Sequence, residues 1–352
     1  MSYTKPNNSK KAVGRAGDVL LTGQTSTEEY DAALGVINNW RASHLYPLQA
    51  IKNTLADRAR KIDKTSITVQ RLKRLQSIET KLRLLGNSRL GGMQDIGGCR
   101  AIMKSVAQVS ELVGVYDEAQ KKNPQGRPEW IDIDDYILTP RDTGYRSVHI
   151  IMRYQSQAEN CLAWNGLKIE IQIRSRLQHI WATAVETAAT FLGEPLKSGQ
   201  GNPKWVRFFV LASSVFAISE DCEPVPNTPT NERKLVEELN ELWNELQVDI
   251  FLQGCIVTTE LAQRGKKKYD RFIVILNSKE LKITVQSYEK NEVVKAAQDL
   301  FELERDTVDK PEIQAVLVEI DDLAKLPVAY PNYYADTNEF IDAVRNGIIR
   351  GI

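Results

Sequence analysis

From residue 27 onward the chain alternates between stretches with helical apolar spacing and short stretches of strand alternation. Ser26-Thr27 ahead of Glu28-Glu29 marks a helix start, and Leu34, Ile37 and Trp40 share one face of that helix. Tyr46-Pro47 interrupts the pattern, and a second amphipathic helix is predicted from Leu48 to Ile62. Residues 66–73, SITVQRLK, alternate, so Ile67, Val69, Arg71 and Lys73 fall on one strand face. A helix through Leu85 follows and is stopped by Gly86-Asn87. The glycine turn GGMQDIGG at 91–98 leads into a short strand, CRAIM, and then into a helix over 106–122. A second glycine turn, PRDTGYRS, precedes the strand VHIIMRY. The next segment, LKIEIQIR, is the cleanest strand: Ile169, Ile171 and Ile173 point one way, and Lys168, Glu170, Gln172 and Arg174 the other. A helix over 176–192 follows.

Residues 223–229, EPVPNTP, carry three prolines and read as a linker. Beyond it, Leu235, Leu239, Leu242 and Leu246 space a helix over 231–253. Two strands at 271–276 and 281–287, a helix at 290–304, a strand at 313–320 and a final helix at 337–348 complete the pattern. Residues 1–26 are polar and read as a mobile arm. The expected organisation is therefore an arm (1–26), a first domain (27–222), a linker (223–229) and a C-terminal domain (230–352).

The 352 residues include 46 basic and 46 acidic side chains, so the net charge is zero. That excludes wholesale polyanion binding and leaves any nucleic-acid contact to local patches. No apolar run approaches the ~18 residues of a membrane span. The N-terminus lacks the apolar core of a secretory signal. Cys99, Cys161, Cys222 and Cys255 are far apart with no CxxC, which argues against a zinc ribbon and for a reducing, cytoplasmic setting. His44, His149 and His179 are too scattered for a His-rich metal site, and no His-Asp dipeptide occurs.

Candidate chemistry gathers between residues 66 and 186. Lys73, Ser77 and Lys81 stand four residues apart, so one helix face presents two ammonium groups and a hydroxyl, with Arg71 on the preceding strand. Such a fork suits a polyphosphate, since basic groups and helix N-termini both attract anions. Asp95 in a glycine turn and Glu170 on a polar strand face are each ordinary alone. Paired, two hard carboxylates are the usual magnesium ligands beside substrate phosphates. The turn Pro140-Arg141-Asp142-Thr143-Gly144-Tyr145-Arg146-Ser147-Val148-His149 joins glycine for close approach to an aromatic ring, two guanidiniums and an imidazole.

In order and spacing these segments resemble the synthetase domain of the RelA/SpoT alarmone-synthetase family. Arg71-x-Lys73-x3-Ser77-x3-Lys81 looks like the family's ATP-binding run, and Asp95-x-x-Gly98-x-Arg100 like its magnesium aspartate with a following arginine. Tyr136-x3-Pro140-Arg141-x-x-Gly144-Tyr145-x-Ser147-x-His149 looks like the acceptor-nucleotide loop. Glu170-x-Gln172-Ile173-Arg174 looks like the strand with the catalytic glutamate. Arg141 departs from the lysine common in the family, which bears on acceptor choice. The resemblance implies an α/β fold, with a mixed sheet flanked by helices over 27–222 and a smaller C-terminal α+β domain. It also implies transfer of the β,γ-pyrophosphate of ATP to a ribose hydroxyl. Asp95 and Glu170 would hold Mg²⁺ and carry catalysis. Arg71, Lys73, Ser77, Lys81 and Arg100 would bind ATP. Arg141, Tyr145, His149, Gln172 and Arg174 would face the acceptor.

Members of the family differ in acceptor: some use GDP or GTP, and toxic small alarmone synthetases use the 3′ CCA end of tRNA. Local basic groups (Lys10-Lys11-Arg15, Lys204 with Arg207, Lys266-Lys267-Lys268) favour tRNA here. In the C-terminal region Tyr330-x-x-Tyr333 looks like the tyrosine motif of fused toxin–antitoxin synthetases of the CapRel type, which sense phage proteins. That resemblance implies an autoinhibitory role for Tyr330 and Tyr333 in the ATP pocket, with a phage protein as trigger. An inactive nucleotide-binding sensor is the alternative of another class.

Overall fold

The structure is a computed structural model that describes residues 3–22, 26–86, 89–122, 128–255, 258–261, 269–310, 312–319 and 337–350. The helices are α1 (Lys10–Thr22), α2 (Thr27–Ser43), α3 (Leu45–Ile62), α4 (Leu75–Leu85), α5 (Val106–Lys122), α6 (Arg176–Leu192), α7 (Pro203–Ser219), α8 (Glu232–Glu245), α9 (Val248–Gly254), α10 (Val293–Asp306) and α11 (Asn338–Arg350). The strands are β1 (Ile67–Leu72), β2 (Gly97–Met103), β3 (Glu129–Asp135), β4 (Val148–Arg153), β5 (Lys168–Ser175), β6 (Thr258–Leu261), β7 (Tyr269–Asn277), β8 (Lys282–Glu289) and β9 (Ile313–Glu319).

The strands form one nine-stranded sheet in the order β3-β4-β5-β2-β1-β9-β7-β8-β6. β2 and β5 run parallel, as do β6 and β8, and the other described pairs are antiparallel, so the sheet is mixed and flanked by helices. The α/β class expected from the motifs is the observed one. β6–β9 do not form a sheet of their own: β9 joins β1 through Gln70↔Glu319 and Arg71↔Val318. The strand expected to carry Arg71 into an ATP site is thus paired on its other edge with the C-terminal region.

Three local expectations change, and one helix is not announced by the sequence pattern. Residues 10–22 are not an arm but α1, because Val13, Ala16 and Leu20 recur at helical spacing and are buried against α2 and α4. Gly17 permits close packing on the Leu90–Gly92 turn, since a Cβ there would stand 2.9 Å from Leu90 Cβ. The break between α2 and α3 falls at His44, and Pro47 sits inside the first turn of α3, where its missing N–H costs nothing. The helix expected over 231–253 divides into α8 and α9 at Gln247, whose φ of 48° is left-handed. Finally, α7 escapes a periodicity reading because it is apolar on nearly every side. Its Trp205, Phe208, Phe209 and Val215 form a core with α6, α8, α9 and Phe340, Ile341 and Val344 of α11.

Candidate active site

β1, β2 and β5 lie side by side, and their polar faces line one cleft of about 610 Å³. Alternation on β5 buries Ile169, Ile171 and Ile173 completely, which leaves Glu170, Gln172 and Arg174 on the opposite face. The parallel register sets Gly98 beside Glu170 and Arg100 beside Gln172. Arg71 comes from β1, Lys73 from the β1–α4 turn, and Ser77 and Lys81 from α4. Arg141 and Tyr145 come from the loop before β4, and His149 from β4 itself. All of these polar residues, together with Asp95, line the cleft.

On one side Asp95 is clamped by two ammonium groups. Lys73 Nζ and Lys81 Nζ lie 2.8 and 2.9 Å from Asp95 Oδ2. The Lys73 backbone N–H also donates to the Ile96 carbonyl at 2.8 Å, which fixes the two turns together. Burial works to raise the Asp95 carboxyl, but Lys73 and Lys81 overcome it and hold the group below its usual range. Burial also pulls the Lys73 ammonium below the ordinary lysine value, against the attraction of Asp95.

On the other side, Glu170 is held by His149 and Gln172. His149 Nδ1 lies 3.1 Å from Glu170 Oε1, and Gln172 Nε2 donates to Glu170 Oε2 at 2.7 Å. His149 Nε2 and the Tyr145 hydroxyl are 2.8 Å apart. Burial opposes charge on His149, but Tyr145 and Glu170 together raise the imidazole to about 9. Burial likewise opposes ionisation of Glu170, and the His149 contact brings the carboxyl below its ordinary value. Arg141 lies 4.3 Å above the centre of the Tyr136 ring and donates to the Tyr136 hydroxyl at 2.7 Å. Tyr136, Tyr145 and His149 thereby form an aromatic wall, with ring centres 5.2–6.0 Å apart.

Arg174 is buried, and burial together with neighbouring Arg100 pushes its guanidinium down to about 9. Its Nε has no hydrogen-bond partner. The charged and titratable neighbours that act on it, besides Arg100, are Tyr145, Glu186 and Arg71.

Two further cleft residues carry no motif that sequence reasoning could use. Glu186 on α6 pairs with Lys197 at 2.9 Å and lies 3.9 Å from Arg74. Burial opposes its ionisation, but Lys197, Arg71 and Arg74 hold it far below the carboxylate range. At the N-terminus of α4, Glu304 Oε1 accepts the Leu75 N–H at 3.0 Å. Tyr330 and Tyr333 lie outside the described residues.

Asp95 and Glu170 suit a hard divalent cation of the kind that takes one or two carboxylates and completes its shell with phosphate and water. Asp95 Oδ1 is buried without a partner, and the Asp95 charge works against ionisation of Glu170. A cation between them would relieve both. Among the described residues, no three His, Cys, Asp or Glu side chains form a protein-only metal cage.

Residues 70–191 match the family model of the region found in RelA / SpoT proteins, so the resemblance read from the motifs holds over that span. The GTP pyrophosphokinase YwaC of Bacillus subtilis (strain 168) is 29% identical over 121 residues, which are 33% of this chain and 54% of that protein. The chain thus spans about half the length of this curated relative. Among solved structures, small alarmone synthetase 2 from Bacillus subtilis is 22% identical over 52% of this chain and 93% of its own, with a TM-score of 0.42. Small alarmone synthetase 1 from the same organism, bound to its product pppGpp, is 28% identical over 33% of this chain and 59% of its own, with a TM-score of 0.28.

Proposed function

We propose that this chain is a pyrophosphokinase that moves the β,γ-pyrophosphate of ATP onto a ribose 3′-hydroxyl and releases AMP. The observation that carries the reading is the division of one cleft into two halves. One half is an aspartate clamped by Lys73 and Lys81, and the other is a glutamate tied through His149 to Tyr145. Lys73, Lys81 and Arg100 neutralise the triphosphate, Ser77 donates to it, and Arg71 stacks on adenine as a planar cation. The Tyr145 ring carries the acceptor base, beside Arg141, His149 and Gln172. Glu170, kept ionised by its partners, accepts the hydroxyl proton. Mg²⁺, held by Asp95 and Glu170, supplies charge neutralisation at the phosphate oxygens.

The name of the curated relative, a GTP pyrophosphokinase, supports GDP or GTP as acceptor. A tRNA 3′ end is the second reading, favoured by Lys10, Lys11 and Arg15, all exposed on α1. Lys204 and Arg207 give it no help, because they are engaged with Glu245 and Glu238. Incubation with γ-³²P-ATP and either GDP/GTP or deacylated tRNA separates these readings. Label in nucleotide selects the first and label in RNA the second. Label in neither leaves an inactive nucleotide sensor.

The proposal extends to a fused toxin–antitoxin enzyme of the CapRel type working in the cytoplasm, with residues 230–352 answering to a phage protein. Its support is the Tyr330-x-x-Tyr333 motif and the pairing of β9 with β1. Among the described residues no helix is long and apolar enough to cross a membrane. If Tyr330 and Tyr333 hold the enzyme shut, replacing both by alanine converts a tolerated protein into a growth-arresting one. Unchanged growth with soluble expression removes this extension.

A further inference from the structure

The helix that carries Ser77 and Lys81 does not cap itself. Its N-cap residue is Arg74, whose side chain makes no capping hydrogen bond, although the first N–H groups of a helix need acceptors. The acceptor comes from the C-terminal region. Glu304 on α10 takes the Leu75 N–H on Oε1 at 3.0 Å and Arg41 Nη1 on Oε2 at 2.6 Å. Arg41 in turn donates its Nε to the Lys73 carbonyl at 3.0 Å. One carboxylate thus holds the backbone on both sides of Arg74.

The surroundings show that this is a built contact. Arg41 and Glu304 are 2% and 9% exposed. Burying such a pair is costly, and apolar side chains of similar size would join α10 to α2 at least as well. The pair adds direction: a negative charge at the start of α4, where the helix dipole favours it, and a fixed Lys73 carbonyl. Two neighbouring contacts act on the same segment from β9. Gln314 Oε1 accepts from Arg74 Nη1 at 2.5 Å, and Glu319 Oε2 accepts from Gln70 Nε2 at 3.1 Å.

We propose that Glu304 is a positioning residue of the donor site, setting the spacing of Lys73, Ser77 and Lys81 from the C-terminal region. The inference rests on the ATP reading of that cleft. It makes the C-terminal region part of the donor site itself. Loosening α10 would then weaken the grip on the β- and γ-phosphates even with every phosphate-binding side chain intact.

The test is calorimetric titration of the full chain with Mg²⁺ and AMP-CPP, whose methylene between the α- and β-phosphorus blocks transfer, with AMP as the comparison ligand. Glu304→Gln keeps an acceptor for Leu75 but loses the charge, and Glu304→Ala loses both. AMP-CPP affinity is expected to fall in the order Glu, Gln, Ala, reaching a loss of roughly 10- to 100-fold, the scale of misplacing a binding group by about an ångström. AMP affinity stays near that of the parent, while the melting temperature of the free protein falls, because either substitution leaves the buried Arg41 without its carboxylate. Unchanged AMP-CPP affinity overturns the proposal. So does equal weakening of AMP and AMP-CPP, which marks a merely structural contact. If the Glu304 variants fail to fold, Gln314→Ala, which releases Arg74 and also the Thr190 hydroxyl, is read by the same ligand comparison. A parent protein that binds AMP-CPP but transfers no label defeats the proposed reaction and leaves this inference standing. One that does not bind AMP-CPP defeats both.

Discussion

Arg146 Nη2 donates to the Glu223 carbonyl oxygen at 2.5 Å, which fastens the loop before β4 to the first residue of the 223–229 segment. The same guanidinium donates through Nη1 to the Ile137 carbonyl at 3.1 Å and through Nε to Ser213 Oγ at 3.4 Å. Ser213, on α7, donates to the Gly144 carbonyl at 2.6 Å. Gly144 has a φ of 88°, and a Cβ there would stand 2.9 Å from Ser213 Cβ. Arg146 follows Tyr145 directly, so a fork buried behind the loop orients the ring in front of it.

Arg146→Lys is expected to separate acceptor from donor. An ammonium cannot serve three acceptors in the plane of a guanidinium fork. The acceptor KM should rise about tenfold, equivalent to ~1.4 kcal/mol, while ATP affinity holds. A stability loss of about 2 kcal/mol should accompany it, from the buried carbonyls left short of donors. Steady-state kinetics with each substrate varied in turn, together with a thermal melt, measure both. An equal rise in both KM values would show that the loop is not the part disturbed.

Local patterning announces much of this arrangement. β5 is plain because period-two alternation runs through Ile169, Ile171 and Ile173, and the same alternation places Glu170, Gln172 and Arg174 on one face. The cleft residues named by the motifs gather in one place because each motif sits at a strand end or glycine turn beside its neighbours in the sheet. The features that escape have no local signature. α7 lacks a polar face. The Arg41–Glu304 and Gln70–Glu319 contacts join residues more than two hundred positions apart, and nothing in either segment alone names the other. Glu186 and Lys197 read as an ordinary helix carboxylate and a loop lysine until the fold brings them together beside Arg74.

Tyr145 offers two features to the reaction, a ring and a hydroxyl, and they can be told apart. Tyr145→Phe removes the 2.8 Å contact with His149 and keeps the stacking surface. It should leave most of the transfer rate, with a loss of about tenfold or less from a less firmly held His149. Tyr145→Ala removes the platform for the acceptor base and should abolish transfer. Label transfer from γ-³²P-ATP at saturating acceptor measures both, and equal rates for the two variants would exclude the stacking role.

His44 supplies a pH signature outside the cleft. It is fully buried at the α2–α3 junction, with its ring Nδ1 2.7 Å from the Trp40 carbonyl oxygen. Burial lowers its pKa to about 4, against the contrary pull of that carbonyl. In the unfolded chain the imidazole protonates below about 6.5. Between pH 6.5 and 4 the unfolded state therefore binds more protons, and stability falls as pH falls. Above pH 6.5 both states are neutral and the group contributes no slope. Melts of the parent and His44→Gln across pH 4–8 should diverge only below pH 6.5. The difference should approach roughly 3 kcal/mol at the acid end, from 1.36 kcal/mol per unit. Parallel curves would mean that His44 titrates normally.

Ending the chain at residue 229 asks whether the fold of the preceding residues stands without residues 230–352. Loss of α11 takes Phe340, Ile341 and Val344 away from Phe208, Phe209 and Phe216 of α7, where Phe340 packs with ring centres 5.8–6.2 Å from all three. Loss of β9 leaves β1 with an open edge, and Gln70 without Glu319. Removing a buried aromatic contact alone costs about 3–5 kcal/mol, and an exposed apolar helix with an unpaired strand edge favours aggregation. The truncated chain is expected to be insoluble, or to show a loose, weakly cooperative melt. Soluble expression with a sharp transition would mean that the core of α6 and α7 closes without α8, α9 and α11.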